Sequence, residues 1–185
     1  AYENATFPMA EDPEEPDSDI LWYRPPRRCL VPIDGIHVSR SLAKTIRRGD
    51  FEIRFDHDFE GTMRDCPRGD ETDWISEEIV RAYVDVHRTG WAHSCEVWRD
   101  GRRVGGVYGV AVGAVFCAEA MFHRERDMSK VALWALVEEL RRQGFRVIDA
   151  QYATPHLLSL GAYEVSDRVY VSLLLAAKER RTEWD

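Results

Sequence analysis

Asp149 and Gln151 stand at the end of an apolar run, Phe145 to Gln151, that begins directly after Gly144. A glycine at that point closes a preceding helix, so the run reads as a buried strand entered from a helix. Period two puts the carboxylate and the carboxamide on one face, at a strand end, which is where α/β proteins place chemistry. An ionisable group beside an apolar strand costs free energy unless it is paired or used. Asp149 is therefore either a working carboxylate or a cap for the short segment from His156, and spacing leaves both open. A second group of residues is cationic: Arg40, Lys44, Arg47 and Arg48 follow Ser39 at helical spacings of three and four. Such a run is either a solvated helix face or a phosphate-contacting patch. Against 33 acidic and 25 basic residues, a formal charge of -8, a concentrated cationic cluster gains weight as a patch.

The elements that must position these residues are legible in part. A chain of 185 residues suits one domain, or a small one packed on a larger one. The strongest helix is Ser129 to Gln143, apolar at Leu133, Leu136, Val137 and Leu140. Ser76 caps a helix with Glu77 and Glu78 in its first turn and Ile79, Tyr83 and Val86 as its buried stripe. Ser166 caps a carboxyl-terminal helix. Strands are predicted at Ile20–Tyr23, at Phe51–Asp56 and from Ser94 through Phe122, with a hairpin turn at Asp100-Gly101. Gly105, Gly106, Gly109 and Gly113 precede no helix and so make no phosphate loop; they mark bulges or close backbone approach. Residues 1 to about 20, rich in acid and proline, read as a surface loop. Cys29, Cys66, Cys95 and Cys117 show no paired spacing, so neither a zinc site nor a disulfide framework is predicted, and a reducing, cytoplasmic setting fits best. No run suggests a signal peptide or a membrane span.

The longer motifs carry a resemblance. FCAEAMF from Phe116, MSKVALWALVEELRRQGF from Met128 and IDAQYATPHLLSLGA from Ile148 occur in order, preceded by FPMAE, WYRPPRR, IDGIHVSRSL, TDWIS, AHSCEVW and VGGVYGVAVG. Together they resemble the leucyl/phenylalanyl-tRNA–protein transferase family over nearly the whole chain. The resemblance implies an α/β (α+β) fold: an acetyltransferase-like (GNAT-like) mixed sheet flanked by helices, with a small amino-terminal domain. On that basis residues 1–35 are an acidic leader and remnant of the small domain, and 36–185 are the aminoacyltransferase domain.

What the resemblance implies for the site follows residue by residue. Asp149 and Gln151 match a D-x-Q pair proposed as a proton relay. Glu119 matches an acidic residue that hydrogen-bonds the amino group of the charged amino acid, and the alternative that Glu119 is itself the base stays open. A buried ion pair with Arg124 or Lys130 would also account for either acid. Val107, Phe116, Met121, Leu136 and Ile148 are implied walls of an apolar pocket, although each alone reads as core; methionine is an adaptable wall. Trp22 and Trp74 are candidates to stack on the terminal adenine, worth about 1–3 kcal/mol per base. Thr154 and Ser159 complete the substrate-binding set; Ser159 and its neighbour His156 serve the short helix first and the site second. The basic helix would bind tRNA. No covalent nucleophile is required, because the ester is already activated and an α-amine of reference pKa about 8 is partly neutral at pH 7; no metal or cofactor is implied. Implied partners are leucyl- and phenylalanyl-tRNA and proteins beginning with arginine or lysine, met by a monomer. The competing readings are an acyl-CoA N-acetyltransferase, disfavoured because HRERDMSK lacks the glycines of a pyrophosphate loop, and a non-catalytic tRNA or degron binder.

Overall fold

The computed structural model describes residues 1–11, 19–66, 75–182 and 184. A single 3-10 turn, Tyr2–Asn4, leads into β1 (Phe7–Ala10), which pairs antiparallel with β2 (Ile20–Tyr23) as a two-stranded ribbon. The apolar FPMA segment thus meets ILWY, and the predicted leader loop gives way to structure over its first ten residues; the acidic stretch 12–18 lies outside the described residues. After β3 (Arg27–Val31) come α1 (Arg40–Arg48), β4 (Glu52–Phe55), α2 (Phe59–Asp65) and α3 (Glu77–Arg88). There follow β5 (Ala92–Arg99), β6 (Arg102–Val112), β7 (Val115–His123), α4 (Met128–Arg142), β8 (Val147–Asp149), α5 (Pro155–Ser159), β9 (Tyr163–Ser166) and α6 (Asp167–Ala177).

Seven strands form one mixed sheet in the order β4-β5-β6-β7-β8-β3-β9, with β7 and β8 parallel and the other pairs antiparallel. A parallel pair needs a long crossover, and α4 supplies it. Strand β3, inside the span 1–35, pairs with both β8 and β9 in this sheet. Leu133, Leu136, Val137 and Leu140 of α4 are all buried on the sheet, as their spacing predicts. Ser39, Ser76 and Ser166 each accept the predicted capping hydrogen bond.

Two local expectations are corrected. The strand predicted over 145–151 is limited to Val147–Asp149, because the backbone of Gln151 turns to φ 53° and leaves the ladder. Asp149 does not cap the short helix: the Thr154 hydroxyl accepts from Leu157 N at 3.2 Å, and Asp149 is turned inward.

Candidate active site

The site begins with the way β7 is bonded on its two sides. Against β6, Tyr108 faces Ala120 while Gly109 faces Ala118, so Glu119 is an extra residue without a ladder partner. A bulge of this kind bends a strand and re-aims the side chain it carries. Against β8, Cys117 faces Asp149 in parallel register. Two residues further along each chain, Glu119 and Gln151 come together, and Gln151 Nε2 donates to Glu119 Oε1 at 3.0 Å.

Asp149 serves this junction from beneath. It is fully buried and forms a bidentate ion pair with Arg28 of β3, Nε donating to Oδ1 at 3.2 Å and a second guanidinium nitrogen lying against Oδ2. Asp149 Oδ1 also accepts from the Gln151 backbone N–H at 2.9 Å. The Arg28 guanidinium donates to Ala5 O at 3.1 Å and lies over the rings of Phe7 and Tyr170, at 4.9 and 4.3 Å. The side chains of the D-x-Q pair therefore diverge, with Asp149 holding the Gln151 backbone while the carboxamide reaches Glu119. The ion pairs considered from sequence are not formed: Arg124 pairs with Asp65, and Lys130 with Asp127 at 2.9 Å.

Glu119 is the electrostatically perturbed member. Burial pushes its carboxyl up to about 8, and the nearby Asp149 charge adds to this, while hydrogen bonds from Tyr2 and Tyr83 and the charge of Arg28 pull the other way. The Tyr2 and Tyr83 hydroxyls also contact each other. Sequence reasoning missed Arg28 and both tyrosines as site residues. Tyr83 carries only the signal of a polar tip on the buried stripe of α3, and Tyr2 and Arg28 carry none, since their partners are remote in the chain.

Glu119 lines a cavity of about 240 Å³ with Val31, Val107, Ala118, Ala120, Met121, Leu133, Ala150, Tyr152, Thr154, His156 and Leu157. Of the five predicted walls, Val107 and Met121 line it; Phe116, Leu136 and Ile148 are fully buried core. Thr154 lines the cavity while capping α5. Ser159 is exposed, bonds back to His156 O at 2.7 Å and does not line it. His156 does, with its buried Nε2 unpartnered among the described residues. Burial and the charges of Lys130 and His123 hold this imidazole below its usual range. An apolar slot with one carboxylate, held by the Gln151 carboxamide, and an unpartnered imidazole nitrogen can seat an aliphatic or aromatic side chain and take a proton from an amine at its mouth.

Trp22 is 60% exposed and lines a second, apolar groove of about 510 Å³ shared with Tyr2, Tyr83 and Trp91. Trp74 lies outside the described residues. On α1 the side chains of Arg40, Lys44, Arg47 and Arg48 are all exposed. Arg48 pairs with Asp50 at 2.8 Å, and among the described residues the other three have no carboxylate partner. All four cysteines are buried thiols, and burial pushes Cys29 up to about 11. No described helix is long and apolar enough to cross a membrane.

A model of the family described as "Leucyl/phenylalanyl-tRNA protein transferase" matches residues 30–175. A leucyl/phenylalanyl-tRNA–protein transferase of Herpetosiphon aurantiacus is 49% identical over 177 residues, covering 95% of this chain and 90% of the relative. Similarly named proteins of a Ruegeria species and of Novosphingobium aromaticivorans are each 46% identical, covering 97% and 96% of this chain and 84% and 68% of their own lengths. A solved structure titled "The structure of L-PGS from Bacillus licheniformis" overlaps with a TM-score of 0.48 at 10% identity, over 81% of this chain and 48% of that one.

Proposed function

The chain belongs to the leucyl/phenylalanyl-tRNA protein transferase family, and on that premise we propose that it moves leucine, phenylalanine and, less readily, methionine from tRNA to the amino terminus of proteins. The acceptors in this reading begin with arginine or lysine, and the reaction feeds amino-terminal-residue-directed protein degradation in the cytoplasm. The observation that carries the reading at residue level is the apolar slot lined by Glu119, whose carboxylate accepts a hydrogen bond from Gln151. The test is incubation with leucyl-tRNA bearing labelled leucine and an arginine-initiated peptide. Label on the peptide is the expected result, and a protein that binds both without transfer would fit a non-catalytic binder instead.

Within this reading the leucine side chain fills the slot between Val107, Met121 and Leu133, and the aminoacyl ester lies at its mouth beside Glu119. Selection by shape in an apolar slot is worth about 1–3 kcal/mol per methylene, which accounts for leakage to methionine. Glu119 is the proton acceptor: it lines the slot, whereas Asp149 is sealed against Arg28 with its oxygens engaged. Gln151 orients the Glu119 carboxylate, and Asp149 in turn fixes Gln151. Positioning of an activated ester against an amine supplies much of the remaining rate. Trp22, and with it Trp74, offer a ring to the terminal adenine, and the ribbon of β1 and β2 belongs to the small amino-terminal domain.

The pH dependence has a defined sign. Glu119 accepts a proton only when ionised, so transfer should rise as the pH passes through about 8. Stability runs the other way. An acid whose folded pKa stands above its unfolded value binds its proton more tightly when folded, so its contribution is complete below the ordinary carboxylate range and is lost as the pH rises to about 8. Single-turnover rates and thermal melts across this window check both limbs. The α-amine of the acceptor titrates nearby, at about 8, so a limb due to Glu119 is recognised by its absence in Glu119→Gln.

The exposed face of α1 is the proposed contact for tRNA phosphates. Reversing Arg47 and Arg48 to glutamate should weaken aminoacyl-tRNA binding and flatten its dependence on salt, since each phosphate that the patch no longer neutralises keeps about one counterion in place. Binding titrations at several salt concentrations measure this, and an unchanged slope would reject the patch.

A further inference from the structure

An acceptor that begins with arginine or lysine brings two positive charges to the site, its α-ammonium group and the end of its first side chain. Among the described residues Glu119 is the carboxylate that lines the cavity, and it serves the first of these. The second must be met elsewhere, and the turn after β8 shows where. Tyr152 N donates to Ala150 O at 2.6 Å around Gln151, whose φ is 53°. This three-residue turn sends the Gln151 carboxamide to Glu119 and leaves the next side chain, that of Tyr152, on the rim of the same cavity. The cavity has an inner end and a rim: Leu133 and Val107 are buried on its wall, whereas Tyr152 is 47% exposed. A perpendicular contact with Phe7, 5.8 Å between centroids, holds the tyrosine ring. Among the described residues no arginine or lysine lies over that ring.

Resting on the aminoacyl-transfer reading, we propose that Tyr152 binds the first residue of the acceptor, its ring face taking the arginine or lysine side chain while the α-amine stands at Glu119. An aromatic face carries the negative part of the ring quadrupole and attracts a cation held within about 6 Å of its centroid. Such a face also accounts for an acceptor set that spans both cations. Guanidinium and ammonium differ in shape and donor pattern, so a carboxylate fork would favour arginine, whereas a π face holds either. The two contacts are neighbours, as the acceptor requires: Gln151 holds Glu119, Tyr152 follows Gln151, and the acceptor side chain leaves the same carbon as its amine. The wall does not oppose a cation. Among the described residues no lysine or arginine lines the cavity, and burial together with the charges of Lys130 and His123 holds His156 toward its neutral form. Tyr152 touches substrate in this scheme but moves no proton; it decides which acceptors are taken.

The test is leucine transfer by the full chain to two peptides that differ at one group, an arginine-initiated peptide and its citrulline-initiated counterpart, which has the same shape without the charge. Wild type should favour arginine. In Tyr152→Leu the ratio of kcat/KM for the two peptides should fall by about 2- to 30-fold, the span between an exposed and a desolvated cation–π contact. Tyr152→Phe and Tyr152→Trp keep a ring and should hold the ratio. Because both peptides meet the same preparation, the ratio does not depend on how much of a variant is folded. A ratio that survives in Tyr152→Leu, or falls as far in Tyr152→Phe, would overturn the assignment. So would a raised KM for leucyl-tRNA with the ratio unchanged, which would move the ring to the tRNA end. A wild type that transfers leucine equally to both peptides would remove Tyr152 as a cation site while leaving aminoacyl transfer in place. No transfer by wild type to either peptide would remove the functional reading, and the role of Tyr152 with it.

Discussion

Replacing Glu119 by glutamine should slow transfer of leucine from leucyl-tRNA by about 10²–10⁴-fold while leaving tRNA affinity nearly intact. Glutamine has the same shape, so the bulge in β7, the cavity wall and a hydrogen bond to Gln151 can all persist, and what disappears is the capacity to hold a proton. Among the described residues Glu119 is the carboxylate that lines the slot; Asp149 lies outside it, fully buried against Arg28. The check is a single-turnover rate beside a tRNA binding isotherm. A variant that transfers at close to the wild-type rate would defeat the assignment of Glu119 as the base, and one that loses tRNA binding in proportion would make it a recognition residue.

Arg28→Met should be the most destabilising single substitution considered, by about 3–5 kcal/mol, because it leaves the Asp149 carboxylate buried without its counter-charge. That is a large share of the about 5–15 kcal/mol that holds a domain together. The same change removes the hydrogen bond to Ala5 O and the stacking on Phe7 and Tyr170, which tie the amino-terminal segment to the sheet. Asp149 also holds the Gln151 backbone, and Gln151 holds Glu119, so transfer should fall together with stability. Urea unfolding gives the measurement. Combining Arg28→Met with Asp149→Leu should recover part of the loss, since a buried pair replaced on both sides by apolar groups is often tolerated. A single-variant loss below about 1 kcal/mol would mark the pair as no stronger than an exposed salt bridge.

The two predictions separate roles that the primary structure leaves merged. Asp149 and Gln151 read from the chain as two groups on one face of a strand, and they are that only as far as the backbone goes. The turn at Gln151, with φ 53°, sends the carboxamide toward Glu119 while the carboxylate stays behind in the core. Likewise, Val107 and Met121 line the slot but Phe116, Leu136 and Ile148 lie in the core. Hydrophobicity marks all five alike and does not distinguish a wall from the layer behind it.

Local chemistry decided a good deal by itself. The serine caps of α1, α3 and α6, the apolar stripe of α4 and the hairpin at Asp100-Gly101 follow from residues within a few positions of each other, where backbone and side chain meet whatever the rest of the chain does. The long ordered motifs also carried the family resemblance. What only the tertiary structure decided is which charges and hydroxyls share a site. Arg28 and Asp149 are separated by 121 positions and Tyr2 and Tyr83 by 81, and the bulge that aims Glu119 is set by the register of β7 on β6. Contacts of that range depend on strand order and register, which sequence periodicity alone does not specify.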